Sequence, residues 1–299
     1  MRVTQQMLDR SLLQAIKERM TGLEDLNRQL SSGQRIGTVS DDPTASAQIL
    51  RAQRTEQRVG AYLRNLDTVD AALSIATSSL QTASETLRRV RELATQAATG
   101  TYTDVDRGNM AREIGALLES LVSSANSRAN GQYLFSGATA EVQPFEVNRD
   151  TQGNIKSVDY CGASTSTEAT VGPGRTAQVN MVGQKVFMRE GDIFRTLVKL
   201  RDAVKTGDRE NIQKSIGQVK VREKGLRASL GIAGARQSQL ELLRNSLERF
   251  SNTNREILSD IGDANLADVA VDYQRDIISL QWALKVSAQA ARPSLINYL

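Results

Sequence analysis

The sequence predicts a mainly α fold: long antiparallel helices in a coiled-coil-like bundle formed by both termini, with a small β-rich domain inserted mid-chain. Three observations predict it. Apolar residues recur in alternating steps of three and four through both halves of the chain, which is the spacing of a helix seam. Between residues 131 and 191 that spacing stops, and glycines crowd at 131, 137, 153, 162, 172, 174, 183 and 191. The composition is 39% hydrophobic but only 4% aromatic, which suits long helices with thin seams better than a large aromatic core.

Residues 1–30 read as a helix, with Leu8, Leu12, Ile16, Met20, Leu23, Leu26 and Leu30 on one face. The run Ser31 to Gly37 breaks it. Asp42 then offers a cap and Pro43 fits the first helical position, so a second helix is expected over 44–63. A longer seam follows at Val69, Leu73, Ala76, Leu80, Ala83, Leu87, Val90, Ala94 and Ala97, with Gly100 placed to end it. Asp104 offers a new cap for the helix that carries Met110, Ile114, Leu117 and Leu121. From Gly131 to Gly191 short β-prone runs alternate with turns. Residues 150–154 read as a hairpin turn between two of them, and the whole insertion as a possible sandwich. Asp192 caps the next helix, residues 205–208 turn the chain, and Ile212, Ile216 and Val219 resume the apolar face. Leu240, Leu243, Leu247, Phe250, Asn254, Ile257 and Ile261 form a seam expected to pack on 69–97. Gly262 and Asp263 interrupt before the terminal helix.

The boundaries this reading sets are 1–40 and 263–299 for an inner helical domain, 41–130 and 192–262 for a core helical domain, and 131–191 for an outer β-rich insertion. A net charge of +4 with both signs interspersed, and no polybasic run, argues against nucleic-acid binding. Histidine is absent, which removes the commonest acid–base group and metal ligand. The single cysteine, Cys161, has no intramolecular disulfide partner and no histidine to activate it; a small, partly buried residue is expected. Residues 172–175 lack the Gly-Lys-Ser/Thr ending of a phosphate loop and read as a turn. Asp41, Asp42, Asp104 and Asp106 sit at helix starts, where carboxylates cap. No catalytic, cofactor-binding or metal constellation emerges, and no apolar run reaches the ~20 residues a membrane helix needs. The first residues lack the apolar core of a secretory signal, so the chain is expected in the cytosol or exported without a cleavable peptide.

The terminal seams are where function is expected. Val269, Tyr273, Ile277, Leu280 and Leu284 step at coiled-coil spacing, Leu266 extends the stripe backwards, and Leu295 and Leu299 carry it onward. Gly33, Gly37 and Gly262 separate both end segments from the body, so a lone pair of such helices has little else to bury against. The expected assembly interface is Leu8, Leu12, Ile16, Leu23, Leu26, Leu30, Leu266, Val269, Tyr273, Ile277, Leu280, Trp282, Leu284, Leu295 and Leu299. Trp282 lies off the seam, either covering a neighbouring element or reaching another molecule. Free terminal helices of this length are marginal in water, so neighbours are expected to order them.

Several stretches resemble bacterial flagellins and their relatives. Residues 26–36 (Leu-Asn-Arg-Gln-Leu-Ser-Ser-Gly-Gln-Arg-Ile), followed by Asp41-Asp42-Pro43, are similar to the family's N-terminal signature. Residues 91–97 (Arg-Glu-Leu-Ala-Thr-Gln-Ala) with 100–107 (Gly-Thr-Tyr-Thr-Asp-Val-Asp-Arg) are similar to its core motif. Residues 131–137 (Gly-Gln-Tyr-Leu-Phe-Ser-Gly), Pro144-Phe145 and the ending 294–299 (Ser-Leu-Ile-Asn-Tyr-Leu) resemble the members found at the hook–filament junction. Trp282 and Arg292-Pro293 depart from the family pattern. The resemblance implies export in an unfolded state, held beforehand by a flagellar export chaperone. It also implies a layer of like copies between hook-associated protein 1 and flagellin, outside the cell. Two alternatives stay open: a flagellin that builds the filament itself, and a cytoplasmic coiled-coil scaffold. An enzyme is the most distant reading.

Overall fold

The computed structural model describes residues 2–99 and 102–291. Its helices are α1 (Arg2–Ser32), α2 (Pro43–Ala98), α3 (Asp104–Ala125), α4 (Gly183–Phe187), α5 (Ile193–Thr206), α6 (Arg209–Gly262) and α7 (Leu266–Ala291). Six short strands lie between α3 and α4: β1 (Arg128–Ala129), β2 (Gln132–Tyr133), β3 (Phe145–Arg149), β4 (Ile155–Tyr160), β5 (Glu168–Gly172) and β6 (Arg175–Gln178). The long helices with a mid-chain β insertion are the fold class the seams and glycines indicate. The chain forms two compact units: Met1–Arg58 with Arg249–Leu299, and Val59–Glu248.

Several local expectations change. The helices expected over 44–63 and 69–97 are one, α2, because 64–68 holds no glycine or proline and Leu66, fully buried, joins the two seams. Segments 212–219 and 240–261 are likewise one helix, α6. Gly100, expected to end α2, lies outside the described residues. Thr103, not Asp104, caps α3. Its side chain accepts from the Asp106 amide, and the Asp106 carboxylate accepts from the Thr103 amide at 3.1 Å, a reciprocal capping box. The insertion is not a sandwich but three separate two-stranded antiparallel ladders, β1–β2, β3–β4 and β5–β6. Strands of two to six residues are too short to stack as sheets, so they lean on helices instead. Cys161 is exposed, not partly buried.

The Val59–Glu248 unit contains two cores. In the larger, Ala76 to Ala97 of α2 meet Ile114, Leu118 and Leu121 of α3, Leu197, Leu200 and Val204 of α5, and Ile212, Val219 and Leu226 of α6. The chain's few aromatics concentrate there. Phe145 lies 5.4 Å from Phe187, 5.1 Å from Phe194 and 5.2 Å from Tyr160, and Phe135 sits edge-on to Phe187 at 5.2 Å. Offset and edge contacts of this kind add to the area the rings bury. The smaller core joins Val59, Leu66, Val69 and Leu73 of α2 to Ala233, Leu240 and Leu247 of α6 and Val171 of β5. The seam 240–247 therefore meets 59–73, whereas 76–97 is covered mainly by α3, α5 and the earlier part of α6. That corrects the expected pairing of 69–97 with 240–261.

The strand pairs are fixed by local polar groups. Asp150 Oδ1 accepts from the amides of Gln152 and Asn154, both at 2.9 Å, which closes the turn between β3 and β4. The Asn126 side chain clamps Phe145, donating to its carbonyl at 2.9 Å and accepting from its amide at 3.0 Å. Gly137 has φ +66°, and a Cβ there would run into the carbonyl oxygens of Thr165 and Ala163. Only glycine meets both demands.

Candidate assembly interface

The unit made of the two chain ends is organised by α1 and α7, which pair antiparallel. Arg19 Nη1 stands 3.3 Å from Asp276 Oδ1, and an isolated bridge joins Gln34 to Asp263 at the other end of the pair. Leu12, Ile16, Leu23, Leu26 and Leu30 of α1 are half-buried, as are Tyr273, Ile277 and Leu280 of α7; Val269 is buried. The opposite face stays open. Met7 (68%), Leu13 (65%), Val271 (66%) and Trp282 (62%) are the most exposed, with Met20, Ile278 and Val286 around half exposed. Lys285 Nζ lies 5.2 Å over the Trp282 ring. Of the expected interface residues, the side chain of Leu8 and all of Leu295 and Leu299 lie outside the described residues.

The structure thus sorts the expected stripe into two sets. Nine residues line the α1–α7 seam; Leu266 and Leu284 continue that stripe at its two ends, half exposed, and Trp282 stands on the open face. Met7, Leu13, Val271, Ile278 and Val286, which the periodicity did not include, are exposed too, and Met20, which the periodicity placed on the α1 stripe, is half exposed. The signal was present as apolar neighbours, Leu12 with Leu13 and Ile277 with Ile278, which put apolar groups on two faces of one helix.

A clasp at the base of the pair explains why the stretch 31–43 has its residues. Ser32 and Gly33 end α1, with Gly33 at φ +70°. Its carbonyl accepts from the Ala264 amide at 2.9 Å, while the Arg35 amide donates to Gly262 at 2.8 Å. The Arg35 guanidinium adds a 2.7 Å bond to the carbonyl of Ile261, so the end of α6 is satisfied by the start of the loop. Asp41 folds the loop back. Its carboxylate accepts from the amides of Thr38 (2.9 Å) and Gly37 (3.0 Å) and from the Thr38 hydroxyl (2.8 Å). Arg28 lies 3.3 Å away. The bonds from Thr38 come first among the causes that hold the Asp41 carboxyl below the ordinary aspartate range. Asp42 Oδ1 caps α2 through the amides of Thr44 and Ala45 at 3.0 and 2.9 Å, as the sequence suggests.

Next to the clasp, α2 and α6 are joined by polar groups rather than by grease. Asn254 Nδ2 donates to the Ala52 carbonyl at 2.9 Å, and Ser251 Oγ and Arg255 Nε both reach Glu56 Oε1 at 2.7 Å. Burial alone would raise the Glu56 carboxyl, but the bonds from Ser251 and Arg255 outweigh it and the net shift is downward. Sequence reasoning missed this group because partners about 200 residues apart leave no local pattern. Among the described residues no group of three or more His, Cys, Asp or Glu is placed to hold a metal ion, and no helix is long and apolar enough to cross a membrane.

Residues 3–140 match the bacterial flagellin N-terminal helical region. The chain is 27% identical over 188 residues to flagellar hook-associated protein 3 of Salmonella typhimurium, a match that spans 62% of this chain and 57% of that relative. It is 22% identical over 302 residues to a flagellin of Listeria innocua, spanning 100% of this chain and 99% of that one. In fold it resembles the crystal structure of flagellar hook associated protein-3 from Legionella pneumophila, with a TM-score of 0.63 and 18% identity. That likeness covers 71% of this chain and 98% of the other. The first half of the chain thus carries a bacterial flagellin N-terminal helical region, set in a fold similar to that of flagellar hook-associated proteins.

Proposed function

We propose that the chain is a structural adaptor of the bacterial flagellum, joining the hook-side junction layer to the flagellin filament. Its terminal helices polymerise, and it performs no catalysis. The observation that carries this reading is the open apolar face of α1 and α7, lined by Leu13, Met20, Val271, Ile278, Trp282 and Val286. An apolar face of that length on a helix pair is a docking surface, and copies of the same helices are its natural complement. The name of the Salmonella relative, a flagellar hook-associated protein, supports a place at the hook.

In this reading 1–40 and 263–299 form the inner helical domain, 41–130 and 192–262 the core, and 131–191 faces outward. Leu8, Leu295 and Leu299 join the interface with the residues above. The neighbours are further copies of the chain, hook-associated protein 1 on one side and flagellin on the other. A flagellar export chaperone holds the chain before it leaves the cell. The test is deletion of 266–299. The shortened chain is expected to keep the helical signal and cooperative melting of the Val59–Glu248 unit, yet to fail to join hooks in cells that lack the full-length protein. A deleted chain that still joins hooks sinks the proposal.

One observation favours a second reading, a flagellin that builds the filament. The flagellin match spans the whole chain, whereas the hook-associated match covers 62% of it. Growth of the purified chain into long filaments without any partner would decide for that reading.

A further inference from the structure

We propose that the Val59–Glu248 unit carries a hinge where α2 and α6 pass from one core to the other, at Ala76 on α2 and Gly231–Gly234 on α6. Leu73 belongs to the smaller core and Ala76 to the larger; on α6 the change falls between Leu226 and Ala233. At the change both seams narrow to alanine, and the neighbouring Ile75 and Ile232 point outward, 40% and 43% exposed. On one side α3 and α5 back the helices. On the other, the apolar cover of α2 and α6 comes from the β5–β6 hairpin. Polar braces stand at a distance on either side. Arg244 meets Asp67 at 2.6 Å, and Arg91 meets the buried Glu223 at 3.0 Å; Ala76 and the two glycines lie between them.

The glycines are not there for want of room. A Cβ at Gly231 or Gly234 would meet nothing within 4 Å. Glycine weakens a helix interior because it leaves the backbone more freedom to regain. Gly225 differs, since a Cβ there would come within 3.0 Å of the Glu190 side chain. Gly217 also faces open space, but buried Ser215 and Val219 hold its turn against the larger core. On α2 the same point is marked by Thr77, whose hydroxyl is buried without a partner. Thr68, Ser79, Thr82, Thr86 and Thr95 of the same helix all donate to the carbonyl four residues back. A thin seam, weak helix propensity and an unsatisfied hydroxyl thus coincide at one level, which is where a long helix pair bends at least cost.

Native-state hydrogen exchange on the full chain tests this, with protection factors corrected for sequence. Amides 231–238 are expected to be at least tenfold less protected than amides 219–226 and 240–247. The double variant Gly231→Ala/Gly234→Ala should raise their protection at least tenfold, while Gly217→Ala, which gains the same helix propensity elsewhere, leaves them unchanged. Equal protection across the three stretches in the wild type overturns the hinge. So does a double variant no better protected at 231–238 than Gly217→Ala. The use of the hinge, to fit one subunit to two differently packed neighbours, rests on the proposed junction role. For that use, cells carrying the double variant should export it normally but hold at most a tenth of the wild-type number of filaments. Full complementation overturns the use but leaves the exchange result standing.

Discussion

Asp41 takes two backbone amides and a hydroxyl within one short loop, and its charge is felt in stability rather than in chemistry. Because its folded-state pKa is depressed, the carboxylate contributes stability that is fully present above the unfolded value, near 3.9. That contribution is lost as pH falls through that value and then through the folded one. Glu56, also shifted down, acts in the same direction. The expected outcome is that Asp41→Asn lowers the urea midpoint of the terminal unit at pH 7, and that the gap to wild type closes as pH drops below about 4. A gap that persists at pH 2.5 would mean the aspartate acts through its shape alone. At this scale the sequence was readable where partners are close in the chain. Asp42 and Asp192 cap their helices as their positions suggest, the latter accepting from the Arg195 amide at 3.0 Å. Thr103 was overlooked because Asp104 is an equally good cap by type, and only the backbone geometry decides between neighbours. Cys161 shows the reverse error: a lone thiol reads as a small buried residue, yet it follows the last residue of β4 on the exposed edge of a two-stranded ladder.

α7 has two apolar faces, and they should answer differently to substitution. Ile277→Ala cuts into the α1–α7 seam, where the side chain is half-buried, and should cost about 1–2 kcal/mol, less than full burial would imply. Trp282→Ala with Ile278→Ala changes only the open face and should alter stability by no more than ~0.5 kcal/mol. Paired with the urea midpoint, a pelleting assay for incorporation onto isolated hooks separates the two effects. The outer pair should lose incorporation with an unchanged midpoint; if incorporation survives, the open face is not the docking surface. The seam of α7 was legible because a period near 3.5 residues survives in a single helix. Its second face was not, because adjacent apolar residues can serve either one wide stripe or two separate ones, and only the position of α1 tells which. α2 and α6 carry the same lesson in another form. Their seams read as four separate helices, and continuity came from Leu66 and from glycines that weaken α6 without stopping it.

The two compact units differ most in what they bury. Val59–Glu248 holds Phe135, Phe145, Phe194 and fully buried aliphatics such as Leu66, Leu80, Leu118 and Leu200, whereas the terminal unit buries only Ile36, Ala45 and Val269 among its described apolar residues, beside Ser46, Ser251 and Asn254. Calorimetry of the monomer is therefore expected to give two heat steps, the terminal unit first, with the midpoint of the later step unchanged by deletion of 266–299. One coincident transition would show the units to be thermodynamically a single body. The sequence by itself determined the helical class, the place of the β insertion, the caps and turns, and the apolar seams at both ends. Each of these is written in residues within a turn or two of one another, where propensity and period act. Only the tertiary structure decided which seam faces which, that the strands remain separate ladders, and which half of each terminal stripe is covered. Those outcomes depend on partners far apart in the chain, such as Glu56 with Ser251 and Arg255 or Gly33 with Ala264. No local preference encodes such pairs, because the free energy that selects them arises only when the whole chain has closed.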